Sequence, residues 1–199
     1  LINAVFAARI LHLCDAVEAE HRQHIGEFIM GFQRRDGGFC DPWLLRQTRR
    51  TRWRRGLRGG DLSEIRGTCL FTAETRSALT ALRHLKTPVR RRYRRFEAMS
   101  PASVRRYVHG LDWRRPWAAG SHFSAMIVFL CYPHNDLSDD EKSRRIMLIN
   151  AAFEALARYR RPGGCWLDPA AGEVGDGEKV NGCMKVLLAY EWAVLAVDE

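Results

Sequence analysis

The stretch QRRDGGF, residues 33–39, places a glutamine, an aspartate and a Gly-Gly-aromatic turn within seven residues. Asp36 could serve as an acid, but the spacing also accounts for it without chemistry. Gly37 and Gly38 can take positive φ and end a helix, and an aspartate beside them can accept backbone N–H groups in the turn. Other residues able to do chemistry lie near small-residue segment starts. Glu74 follows GTCLFTA, His122 sits in AGSHF, and Asp176 opens DGEKVNGC. These three are the candidate catalytic groups, because a positioned carboxyl or imidazole can move a proton. The aromatics Trp113, Trp117, Trp166, Trp192, Phe123, Phe129 and Tyr190 fall in or beside the same segments. An aromatic-lined cavity suits an isoprenoid or a sugar ring and stabilises a carbocation. Aromatics also simply fill the space between helices, which explains most of this set. Trp117 stands apart in RRPWAAGSH, after Arg114 and Arg115, and with Trp166 and Tyr190 these form the candidate ligand-binding group.

The elements that must position these residues are helical. The 199-residue chain is long enough for one domain, 1–199, with a full core. Its apolar residues recur at helical spacing nearly throughout, with no convincing period of two. INAVFAARILHLCDAV, EAEHRQHIGEFIMGFQ, LFTAETRSALTALRHL, SHFSAMIVFLCY, SRRIMLINAAFEALARYRR and NGCMKVLLAYEWAVLAV are the predicted helices. Pro88, Pro101, Pro133 and Pro162 mark boundaries, and Ser100 with Pro101 forms a helix start. No apolar run approaches the roughly 18 residues of a membrane span. The N-terminus lacks the basic region of a signal peptide, and with no initiator Met the sequence reads as trimmed or as a fragment. The six cysteines lie singly, without a CxxC pair, which points to reduced thiols in a cytoplasmic protein. The net charge of +9 comes largely from arginine, with seven in residues 46–58 and five in 90–95. Residues 46–58 are expected to be a solvated loop. Such a loop could receive a diphosphate; nucleic acid is not the expected partner, although Trp53 interleaves with the arginines.

Two helix types alternate. One is amphipathic and ends in a Gly-aromatic turn, at FQRRDGGF, VHGLDW and RYRRPGGCW; the other is more apolar and begins with small residues. The chain therefore reads as three diverged repeats after a leading half copy, with an inner layer of helices wrapped by an outer one. Gln33 is expected to reach the start of the neighbouring outer helix. The turn QRRDGGF is similar to the QxxDGxW-type repeat of terpenoid and squalene cyclases and of protein prenyltransferase β subunits. That resemblance implies an all-α, α/α-toroid-like array of helical hairpins around a central cavity, here a partial or open ring. Only the first copy keeps the Gln and the Asp; the second keeps Asp112 and Trp113, and the third Gly163, Gly164 and Trp166.

The resemblance also directs attention to zinc. Protein prenyltransferases hold a catalytic zinc at inner-helix starts, and Cys69, His122 and Cys183 occupy similar places here. Two thiolates and an imidazole would leave a fourth position open for water or substrate. The family's Asp-x-Cys arrangement is missing, since Asn181 and Gly182 precede Cys183, and cysteine in an apolar helix is usually a small core residue. The acids of LSDDEK, residues 137–142, are not a cyclase acid: Ser138 and Glu141 make a capping box in a first helical turn. The functional expectation is a prenyltransferase- or cyclase-like protein that binds or acts on an isoprenoid-like or other extended ligand. A non-catalytic scaffold of the same fold, open to a protein partner, is one alternative. A carbohydrate-active enzyme using Glu74 with Asp168, Glu173 or Asp176 is another.

Overall fold

Residues 1–59, 68–133 and 137–194 are described by a computed structural model, without the side chains of residues 55, 56, 59, 68 and 69. Among the described residues every regular element is an α-helix, and the only extended pairings are two isolated bridges. The chain divides into two compact units, Leu1–Tyr93 and Arg94–Glu199.

The first unit holds α1 (Ile2–Leu13), α2 (Ala19–Met30), α3 (Pro42–Gln47), α4 (Arg49–Gly59) and α5 (Thr68–His84). α2 opens with a capping box between Glu18 and His21, and α3 with Asp41 accepting from the backbone N–H groups of Trp43 and Leu44 ahead of Pro42. α1 packs on α5, and their C-terminal ends meet where His12 stacks on His84 at 3.9 Å between ring centroids. α2 runs back along α5, so that Gly26 lies against Thr87 just past the end of α5.

The second unit holds α6 (Pro101–His109), α7 (Pro116–Cys131), α8 (Asp139–Ala157) and α9 (Asp176–Ala193). Ser100 caps α6 with Pro101 at its first position, and Ser138 with Glu141 forms the expected box on α8. α7 and α9 run parallel and make the most extensive helix pair. Pro116 meets Gly182 at one end, and Tyr132 stacks on Trp192 at the other with centroids 6.1 Å apart. A Cβ at Gly182 would fall 2.8 Å from the backbone carbon of Pro116, so only glycine permits this approach. α6 and α8 are also parallel, joined by Arg144 to the carbonyl of Met99, Arg105 to Glu154 and His109 to Tyr159 in sequence order. α8 runs antiparallel to α7, where Arg145 donates to the carbonyl of Tyr132 at 3.1 Å and forms a buried ion pair with Glu97.

Burial follows neighbours more than hydropathy. α7 is buried nearly all round, with Phe123 to Leu130 inside, as its apolar sequence predicts. α1 and α9 are apolar too, yet Ile2, Phe6, Ile10 and Leu13 of α1 and Val180, Met184 and Leu187 of α9 stay exposed. Within its unit α1 meets α5 and α2 on one side only, and α9 meets chiefly α7.

Candidate functional site

The Gly-aromatic turns are built alike, 127 positions apart. In the first, Gln33 bridges Phe39, Arg34 donates to Gly38, Gly37 donates to Arg34 and Cys40 donates to Phe32. In the second, Arg160 bridges Trp166, Arg161 donates to Cys165, Gly164 donates to Arg161 and Leu167 donates to Tyr159. The positive φ falls on one glycine of each pair, 85° at Gly37 and 77° at Gly164, while Gly38 and Gly163 keep ordinary values. The aromatic residue that follows plugs the core: Phe39 and Trp166 are both buried. The GLDW copy is shorter and has no bridge, but Trp113 is buried in the same manner and its indole N–H donates to the carbonyl of Val108 at 3.0 Å.

Each turn meets a later helix of its own unit. Thr75 Oγ1 of α5 accepts the Phe39 N–H at 2.9 Å, and Cys183 Sγ of α9 donates to the carbonyl of Gly164 at 3.9 Å. Thr75 and Cys183 thus each reach the turn of their own unit, Thr75 as an acceptor at the aromatic residue and Cys183 as a donor at the glycine. Burial pushes the pKa of the Cys183 thiol up. His122 is half-buried on α7, and the side chain of Cys69 lies outside the described residues. Among the described residues no group of three or more His, Cys, Asp or Glu is arranged to hold a metal ion.

Asp36 accepts the Gly38 N–H at 3.1 Å and pairs with Arg34, a turn residue as expected. Gln33 reaches further than a helix start. Its amide donates to the carbonyls of Gly37 and Arg91 and accepts the Arg91 N–H, tying the turn to the segment before α6. Phe71 receives the Arg34 guanidinium at 4.5 Å from its centroid.

Of the candidate catalytic groups, Glu74 has the most unusual setting. It is 7% exposed; one carboxyl oxygen accepts the Asp41 N–H at 3.0 Å, and the other has no hydrogen-bond partner. Burial raises its pKa. Beside it, the Cys40 thiol is pushed up to about 12 by burial and by the Glu74 carboxylate. Cys40, Asp41 and Glu74 form a cluster that periodicity could not reveal, since it joins a turn to a helix 33 residues away in sequence. The Cys-Asp pair after GGF is the only local sign of it.

Asp176 belongs to the other unit. It sits in the first turn of α9, its carboxyl 94% exposed, and pairs with Lys179 at 3.2 Å. Asp168 accepts the Ala170 N–H in its loop, and Glu173 is exposed. The remaining predicted residues divide. Trp166 is buried and packs on the half-buried Tyr190, centroids 6.0 Å apart, and Tyr190 also meets Phe153 at 4.6 Å. Trp117, Arg114 and Arg115 are exposed at the start of α7, next to the start of α9: the Trp117 N–H donates to the Glu178 carboxylate at 3.2 Å, and Arg114 pairs with Asp112 at 3.0 Å. The parallel packing of α7 and α9 is what brings these starts together.

No protein-family model, curated protein or solved structure matches the chain.

Proposed function

We propose that this chain is a non-catalytic binding scaffold, an α/α-toroid-like array of helical hairpins that holds an extended, isoprenoid-like ligand at the paired starts of its inner helices. The parallel α7–α9 pair, the parallel α6–α8 pair and the duplicated turn support the toroid-like reading. One observation carries the functional reading. At the start of the α7–α9 pair, Trp117 is 48% exposed beside Arg114 and Arg115, whereas the groups there that could do chemistry are already engaged. Glu178 caps Trp117, Asp176 holds Lys179, and the Cys183 thiol donates to the Gly164 carbonyl. An exposed indole among cations is a recognition surface for an apolar ligand with an anionic head. The five described cysteines are free thiols, in keeping with the proposed cytoplasmic location, and no helix among the described residues is long and apolar enough to cross a membrane. Titration of the full chain with farnesyl diphosphate, followed by tryptophan fluorescence, tests the reading. Saturable binding that Trp117→Ala abolishes is expected; binding unchanged by that substitution would refute the site.

A second reading keeps the enzyme. A carboxyl buried with a raised pKa and an unpaired oxygen is what a general acid requires. Under that reading Glu74→Gln abolishes turnover of an isoprenoid or glycoside substrate while the fold survives. Under the scaffold reading the same substitution changes stability alone.

A further inference from the structure

The arginine-rich stretch expected to be a solvated loop is helical, α4, and its two faces differ. Arg52 turns inward, 9% exposed. Its Nε donates to Thr48 Oγ1 at 3.1 Å and its Nη2 to the carbonyl of Leu45 at 2.8 Å, which holds α4 on α3. The opposite face carries Arg49, Arg50, Trp53 and Arg54, which among the described residues line an open groove of about 480 Å³. At spacings of four, Arg49 lies one turn from Trp53 and Arg50 one turn from Arg54. Trp53 is 47% exposed between these guanidiniums. No carboxylate pairs with Arg49, Arg50 or Arg54 among the described residues.

An exposed indole flanked by guanidiniums combines the two elements of single-strand recognition. The cations follow a phosphate backbone, and the ring offers a face on which a base stacks. A lipid surface would need a wider apolar face than Trp53 and Leu57 provide. We propose that the Arg49/Arg50/Trp53/Arg54 face of α4 binds single-stranded nucleic acid, with phosphates on the guanidiniums and a base on Trp53. This site is independent of the α7–α9 surface.

The test is fluorescence anisotropy of a short fluorescein-labelled oligouridylate against the full chain across a salt series. Changing Arg49, Arg50 and Arg54 together to Gln removes three phosphate contacts, and the slope of log K against log salt should become shallower by about two. Trp53→Ala should weaken binding about ten-fold or more without changing that slope, and Trp53→Phe should restore most of it. All of these side chains are exposed, so far-UV circular dichroism of the variants should match the parent. Binding indifferent to Trp53→Ala would overturn the proposal in favour of a nonspecific electrostatic footprint. Trp53-dependent binding to phosphatidylserine vesicles with no binding to the oligonucleotide would overturn it in favour of a membrane surface.

Discussion

The two Gly-aromatic turns share a backbone but not their surroundings, and replacing each turn's positive-φ glycine by alanine separates the two contributions. At Gly164 an alanine would meet no atom within 4 Å, so its cost is the left-handed backbone alone. That conformation costs an L-residue about 1–2 kcal/mol, offset in part by the smaller entropy of the unfolded alanine chain. A net loss of about 1 kcal/mol is expected. At Gly37 the same strain applies, and the added Cβ would lie 2.4 Å from the Arg92 carbonyl oxygen and 2.8 Å from the Tyr93 nitrogen. Backbone cannot rotate away as a side chain can, so the turn must separate from the 91–93 segment. Overpacking of that kind costs about 1–3 kcal/mol. The separation also threatens the bonds between the Gln33 amide and Arg91, each worth about 1 kcal/mol. Gly37→Ala should therefore lose about 3–4 kcal/mol, roughly three times the loss at Gly164. Urea unfolding followed by circular dichroism and tryptophan fluorescence measures both, with the transition of the unit carrying the substitution read in each case. Equal losses would refute the claim that Gly37 is pressed against the 91–93 segment while Gly164 faces open space.

Three further outcomes follow from buried polar groups. Arg145→Met should destabilise the second unit by about 3 kcal/mol, because it strips the guanidinium from the buried Glu97 carboxylate; adding Glu97→Gln should recover most of that in urea unfolding. His84 is lowered to about 4 by burial, with His12, Arg9 and Arg83 adding to the effect. Its folded pKa lies below its unfolded one, so stability should fall as pH drops from about 6.5 to 4, and His84→Gln should flatten that loss in pH-dependent melting. Glu74 behaves in the opposite sense. Its folded pKa is raised, so stability should fall as pH rises above the unfolded value near 4.5, and Glu74→Gln should be at least as stable as the parent at pH 7 in urea unfolding.

The helices were legible because their signals are local. Ser100 with Pro101, Ser138 with Glu141, and the glycines after Gln33 all act within one turn of chain, and each does what its spacing predicts. The buried state of α7 was legible because a helix apolar on every side must be surrounded. The same rule misjudged α1 and α9, since hydropathy records what a helix can bury and not how many neighbours it has. α4 was missed because its composition, arginine with one tryptophan and one leucine, carries no apolar stripe; its anchor is Arg52, an inward arginine indistinguishable in sequence from the outward ones. The site was less legible than the fold. Trp117, Arg114 and Arg115 are exposed at the start of α7, whereas Trp166 is buried and Tyr190 half-buried against it. The contacts of Thr75 with Phe39 and of Cys183 with Gly164 join each turn to a helix further along the chain, and two unlike residues make them, which leaves no shared letter to read.

Isothermal titration of farnesyl diphosphate into the full chain, with analysis of the ligand recovered afterwards, tests the binding-scaffold account most directly. Saturable heat that disappears with Trp117→Ala, and ligand recovered unchanged, is the predicted result. Absence of binding, or conversion of the ligand to a product, would contradict it.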